Sequence, residues 1–385
     1  MNPTPVVLRR QSLLVGNPVS ATMPGMTLRA GTRSILAIAA ALGTWPSPVS
    51  AGTIVTVSVV CPVCDHAFES LVLRSSDRRG GIDRDLFARA ITAQDVHYLI
   101  TSCTRCFYSG YLDDFQPGRI DASLREKILQ SPRLKPITPI SARMKQDEIP
   151  VATRYALAAT VYEWRGSSHE ARAWLHLRWA WAVREDGSYL PPTPDMIQAM
   201  REIEPRLPPA RAGRNQADRE LQAAALLAAD WMEGFFDPPR EPYVRLVLAL
   251  VLRRHGENAA ARMLADPVAA LPDLAEPLRS AVRNMIASID EESRLLVIAR
   301  RHFEQAVARD QVGRTNRSAA RYLLGEISRR LDDREAAQHW YELAMEQPDL
   351  DSELREWIQQ QRDLLEPVPG LSTEGRPQPP STDER

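Results

Sequence analysis

Lysine is almost missing from this chain. Lys127, Lys135 and Lys145 are the only three, and arginine supplies the rest of the 48 basic residues, a bias that reads as genomic base composition rather than anion recognition. A phosphate-cradling loop needs glycines followed by Gly-Lys-Ser/Thr, and no lysine here follows a glycine, so that nucleotide site is excluded. Net charge is equally scarce. At −1 the chain has no overall cationic field of the kind that drives phosphate-backbone binding, and nucleic acid is not expected as a partner. The apolar run Ile35–Leu42 is too short to cross ~30 Å of hydrocarbon as a helix, so no permanent membrane span is expected. His-Glu-x-x-His, Gly-x-Ser-x-Gly and glycine-rich nucleotide loops do not occur. His339 and Glu342 share a helix face, but Trp340 and Tyr341 between them read as packing residues. These absences turn the expectation away from an enzyme and toward a binding protein.

What is present divides the chain into segments. With 385 residues and 44% hydrophobic residues it can bury a sizeable core in two or three domains. Arg29 and Arg33, the run "ILAIAAAL" and then Val49-Ser50-Ala51 follow the charged, apolar, small-residue order of an export signal. Residues 1–51 are therefore expected to be a signal peptide cleaved after Ala51, which places the mature chain in the periplasm or outside the cell. Starts at Met23 or Met26 bring its length into the usual range of about 15–30 residues.

All four cysteines lie in two CxxC pairs, "CPVCDHAFES" from Cys61 and "CTRCFYSGYLDDF" from Cys103. "TIVTVSVV" (Thr53–Val60) is rich in β-branched residues and reads as a strand entering Cys61; further strands are expected at Ala67–Arg74 and Val96–Ser102. Two CxxC turns at strand ends present four thiolates to one tetrahedral ion, so a structural zinc held by Cys61, Cys64, Cys103 and Cys106 is expected in a ribbon-like module over 53–116. His66 is surplus to that set. The 38 residues between Cys64 and Cys103 exceed ordinary ribbon spacing, so Ser75–Asp95 must loop out or form its own helix. Two alternatives stand beside zinc: disulfides, which an oxidising compartment favours, and thiol redox or metal-dependent catalysis.

Residues 117–150 read as a proline-dotted linker with one short helix, capped by Ser123 and Glu126. From 151 to 366 the chain reads as helical. The windows around Gly166, Gly256 and Asp332 share one register: Tyr155, Ala159 and Tyr162 precede Gly166, with Ala171 and Leu175 after it. Leu324, Gly325 and Ser328 likewise precede Asp332, with Ala337, Tyr341 and Ala344 after it. Small residues that let antiparallel helices approach, alternating with large ones that fill the next groove, are the logic of a tetratricopeptide array. The spacing between windows is irregular. Trp174, Trp179 and Trp181 read as core, and residues 367–385 as a disordered tail.

The motifs "CPVCDHAFES", "RSSDRR", "CTRCFYSGYLDDF" and "LRWAWAVRED" together resemble a bacterial family of unknown function that joins a two-CxxC zinc-ribbon-like part to tetratricopeptide-like helices. The likeness covers about residues 58–187. It implies architecture and ligands but no activity. It also implies a glycine shortly after each CxxC, where Asp65 and Phe107 stand, and a proline where Thr104 stands. The fold class expected is mainly α, with a small β zinc-ribbon-like module preceding an irregular tetratricopeptide-like solenoid. The function expected is an interaction scaffold for a protein or peptide.

Overall fold

The structure is a computed structural model of the chain and describes residues 53–365 apart from 77–79, 91–93, 132–133, 135–144, 208–215 and 314–315. The export signal expected within 1–51 and the tail expected over 367–385 lie outside the described residues. The described chain is mainly helical, with three small antiparallel strand pairs ahead of most of the helices.

The first pair is the expected hairpin. β1 (Thr53–Val60) and β2 (Ala67–Ser75) are antiparallel, with Val60 opposite Ala67 and Val57 opposite Ser70. The third expected strand is shorter than Val96–Ser102: a one-turn helix occupies Asp95–His97, and β5 is only Ile100–Ser102, paired with β6 (Ser109–Tyr111). Val96 is buried by that turn, and its carbonyl accepts from Tyr155 Oη at 2.9 Å, which removes it from any strand ladder.

Among the described residues of the segment expected to loop out or form its own helix, the only helix is the single turn that begins at Asp95. The segment folds into a minimal hairpin, β3 (Gly81–Ile82) with β4 (Ala88–Arg89), whose alternate side chains Asp83, Asp85, Phe87 and Arg89 are buried. Phe87 lies against Trp181, with ring centroids 5.3 Å apart. The period-two pattern of a strand therefore drives this insert into the helical body.

Among the described residues eleven α-helices follow. The first, α1 (Ala122–Gln130), starts a residue before the expected cap. Its N-cap is Asp121, whose side chain accepts from Leu124 N at 2.7 Å, in place of Ser123. Asp and Ser are comparable N-caps, so the extended backbone at Asp121 decides between them. Next come α2 (Val151–Trp164), α3 (His169–Gly187), α4 (Pro194–Ile203), α5 (Gln216–Met232), α6 (Glu241–Arg254) and α7 (Asn258–Ala269). The remainder are α8 (Leu278–Ala308), α9 (Arg317–Arg330), α10 (Arg334–Met345) and α11 (Ser352–Leu365).

The three windows singled out by register are three helix-turn-helix joints of one design. Gly166, Gly256 and Asp332 all have positive φ, at 65°, 74° and 60°. Each joint closes with the same two bonds; at the first, Gly166 N donates to Glu163 O and Ser167 N to Tyr162 O. This is the Schellman closure, which satisfies the last carbonyls of the first helix and turns the chain back. At the third joint a Cβ on Gly325 would strike the Tyr341 ring, so the helices meet through that glycine.

The 31-residue α8, about 46 Å long at 1.5 Å per residue, runs through two cores. Its first half gives Leu278, Val282 and Met285 to a core formed with α4–α7. Its second half gives Leu295, Leu296, Ala299, Phe303 and Ala306 to a core shared with α2, α3, α9, α10, α11 and Phe87. Each such large apolar side chain contributes roughly 1.5–3 kcal/mol on burial. Trp179 and Trp181 belong to the second core, and Trp174 packs on it against Phe303. Among the described residues no helix is long and apolar enough to cross a membrane.

Candidate metal centre

Two matched turns bring the four cysteines together. β1 delivers Cys61, whose N–H donates to His66 O at 2.9 Å while Asp65 N donates back to Cys61 O at 3.0 Å. β5 delivers Cys103 in the same way: its N–H donates to Tyr108 O at 2.9 Å, and Phe107 N donates to Cys103 O at 3.0 Å. Both turns need a left-handed residue after the second cysteine, and Asp65 and Phe107 supply it at φ 56° and 62°. These are the positions where the resemblance implies glycine. Side-chain residues hold the turn there with local strain.

The resulting sulfur geometry is compact. Cys61 Sγ lies 3.5 Å from Cys106 Sγ, Cys64 Sγ lies 3.6 Å from Cys103 Sγ, and all four sulfurs fall within 4.8 Å of one another. Four sulfurs at about 2.3 Å from a tetrahedral ion stand about 3.8 Å apart, so the donor set fits such an ion. All four thiols are free. Cys61 and Cys103 are fully buried, while Cys64 and Cys106 are partly exposed, so each turn offers one inner and one outer sulfur. Hydrogen bonds from Cys106 and Cys61 stabilise a Cys103 thiolate and lower its pKa, and the same bonds with burial push the Cys106 thiol up.

Neighbouring elements lock both turns. From α1, Arg125 donates through Nε to Val63 O and through Nη2 to Asp65, each at 2.7 Å. Lys127 lies 5.0 Å over the Trp164 ring and ties α1 to α2. The second turn is held through Asp114. Its carboxylate accepts from Tyr111 N at 2.9 Å, from Tyr162 Oη at 2.7 Å and from Arg165 Nη1 at 2.6 Å, while its carbonyl accepts from Tyr108 Oη at 3.0 Å. A Cβ on Gly110 would lie 2.6 Å from that carboxylate, which accounts for the glycine in "SGYLDDF". In the sequence, the role of Asp114 is signalled only by the Gly-x-x-x-Asp spacing after the CxxC. His66 stays outside the sulfur cluster, with Nε2 3.4 Å from Thr104 Oγ1 and its ring stacked on Phe68. Tyr341, between His339 and Glu342, is fully buried packing.

A second chemical feature went unread in the sequence: a buried ionic network where the insert meets the helices. Asp85 accepts from Arg184 at 2.5 Å and from Trp181 Nε1 at 2.8 Å, and Arg330 Nη1 lies 2.9 Å away. Arg184 also reaches Glu292 at 2.7 Å, Glu292 pairs with Arg253 and accepts from Asn258 at 3.0 Å, and Arg330 pairs with Glu326 at 2.8 Å. On the other side of the insert, Arg89 pairs with Asp83 at 2.9 Å and with Glu220 at 3.4 Å. A Cβ on Gly256 would occupy the place of the Arg330 guanidinium, so that joint admits the arginine.

Burial alone would raise the carboxyl pKa values in this network. The guanidiniums outweigh it: Arg184 and Arg330 hold Asp85 well below the usual carboxylate range, and Arg254 with Arg89 brings Glu220 down to about 2. Arg329 and Arg330 bring Glu326 to about 2 in the same way. Groups so firmly ionised do not exchange protons near neutrality, so the network is built for cohesion rather than acid–base work.

Residues 54–227 match the model of a family described as "Uncharacterized protein conserved in bacteria (DUF2225)". The match spans the four cysteines, the insert and Arg184. No curated protein and no solved structure matches the chain.

Proposed function

We propose that the chain is a non-enzymatic interaction scaffold of the cell envelope, in which Cys61, Cys64, Cys103 and Cys106 hold one structural zinc and a tetratricopeptide-like helical array offers a groove to a protein or peptide. The observation that carries the reading is the pair of matched turns with four free sulfurs inside 4.8 Å. A closed set of four thiolates leaves no position for water or substrate, so zinc bound there supplies folding energy rather than reactivity. The cysteine turns pin both ends of the insert, and the insert in turn neutralises Arg184 and Arg330. In this reading the metal stabilises the helical body through that link.

The array rests on the shared joint at Gly166, Gly256 and Asp332 and on the close approach of Gly325 to Tyr341. Such helix pairs bury their apolar faces against neighbours and leave a continuous surface for a partner. A pull-down from envelope extract with the intact chain and with Cys61→Ser tests the scaffold. One defined protein captured in near-equal amount by the intact chain, and lost with the metal, supports it; turnover of a small substrate by the purified chain overturns it. Export is tested by intact mass from the native host. Loss of residues through Ala51 is expected, and a mass retaining Ile35–Leu42 contradicts it.

A further inference from the structure

Among the described residues β1 is an edge strand, and its own sequence lacks the usual protections. Its neighbour on one side is β2, and among the described residues no strand pairs with its other side. Natural edges are blunted by lysine, proline, inward charges or bulges. "TIVTVSVV" carries no charged residue and no proline, and its one irregularity falls at its very start, between Thr53 and Ile54. The hydrogen-bonding phase of this open edge can be read from the cysteine turn. Cys61 N–H donates to His66 O, so strand alternation makes Val59, Val57 and Val55 the residues bonded to β2. The N–H and C=O groups of Ile54, Thr56, Ser58 and Val60 therefore point outward. These four also form the exposed face of the strand, with Ile54 40% and Val60 58% exposed.

We infer that β1 pairs with β1 of a second copy, antiparallel about a two-fold axis through Val57, to give a continuous four-stranded sheet. The strand is self-complementary in this register. A two-fold at Val57 sets Ile54 opposite Val60 of the other copy, joining the two exposed apolar residues at each end. It sets Thr56 opposite Ser58, a hydroxyl pair of the kind that stabilises sheets, and Val55 opposite Val59 on the inner face. All outward-pointing backbone groups then fall in hydrogen-bonded pairs, as the phase requires. No like charges oppose one another. The contact is isologous and closes at two copies, so it terminates the edge instead of propagating a fibre. This pairing is independent of the scaffold reading and of what the cysteines bind.

Sedimentation of the purified chain up to about 100 µM, a range suited to a small interface, tests the inference. A reversible monomer–dimer equilibrium is expected. Thr56→Pro removes an N–H that points away from β2, so it should abolish the dimer while the circular dichroism spectrum stays unchanged. Ile54→Lys should weaken the dimer at least tenfold, and adding Val60→Glu to it should restore most of the loss, because those two positions meet across the axis. Should Thr56→Pro fail to fold, the Ile54 and Val60 variants decide alone. A chain monomeric throughout overturns the inference, as does a dimer indifferent to Thr56→Pro or one that Val60→Glu does not rescue.

Discussion

Replacing Asp85 with asparagine isolates the contribution of the buried network. Asparagine keeps the shape of the side chain and an acceptor for Trp181 Nε1, but removes the negative charge between two guanidiniums. The side chains of Asp85, Arg184 and Arg330 are all 0% exposed, so water cannot replace what is lost. Removing one partner of a buried pair costs about 3–5 kcal/mol. Arg184 retains Glu292 and Arg330 retains Glu326, which places the expected loss at the lower end, about 3 kcal/mol. At roughly 2 °C per kcal/mol for a domain of this size, the melting temperature should fall by about 6 °C. The pH dependence has a defined sign. The folded carboxyl is held below its unfolded value of about 3.9, so its contribution is complete above that pH and is lost as the pH falls toward the folded value. Scanning calorimetry of both proteins from neutral pH to about pH 2.5 should show the gap narrowing only below about pH 4. A fall of less than about 1 °C at neutral pH, or a gap that ignores acidification, would mean that Asp85 does not hold the two guanidiniums.

Further outcomes follow from other parts of the structure. Asp65→Gly should stabilise the ribbon by up to about 1 kcal/mol, because it relieves a left-handed side-chain residue and gives up only an exposed pair with Arg125. The check is a higher melting temperature with cysteine accessibility unchanged. At the α3–α8 contact, burial and then neighbouring cationic groups lower His176 and His302 to about 4. The unfolded chain binds more protons there, so the stability these two histidines contribute should decline as pH falls from about 6.5 to about 4, and their share of the decline should end there. His302→Gln should flatten that part of the profile, and an unchanged slope would contradict the assignment.

The parts of the fold legible in the sequence are those fixed by local chemistry. Thr53–Val60 carries its β-branched signature on its own residues, and β2 lies where the alternation after Cys64 put it. The joints at Gly166, Gly256 and Asp332 announced themselves through residues that tolerate positive φ, or through a shared register in the case of Asp332. Cysteine spacing sufficed to bring four sulfurs together. What stayed hidden depends on distant partners. Nothing near Asp85 indicates Arg184, ninety-nine residues on, or Arg330 far beyond it. The insert departs from the loop or helix its spacing suggests because its period-two burial is directed at helices, a destination that local alternation does not specify. Asp121 displaced Ser123 as a cap because both residues have the chemistry and only the backbone path selects between them.

Whether the four thiolates hold the one structural metal ion proposed for them is decided by elemental analysis with a free-thiol count on the same chelator-free sample. About one zinc per chain is expected, with all four cysteines unreactive until a chelator is added and then fully titratable. A metal-free protein with no titratable thiols would contradict it and establish disulfides at Cys61, Cys64, Cys103 and Cys106.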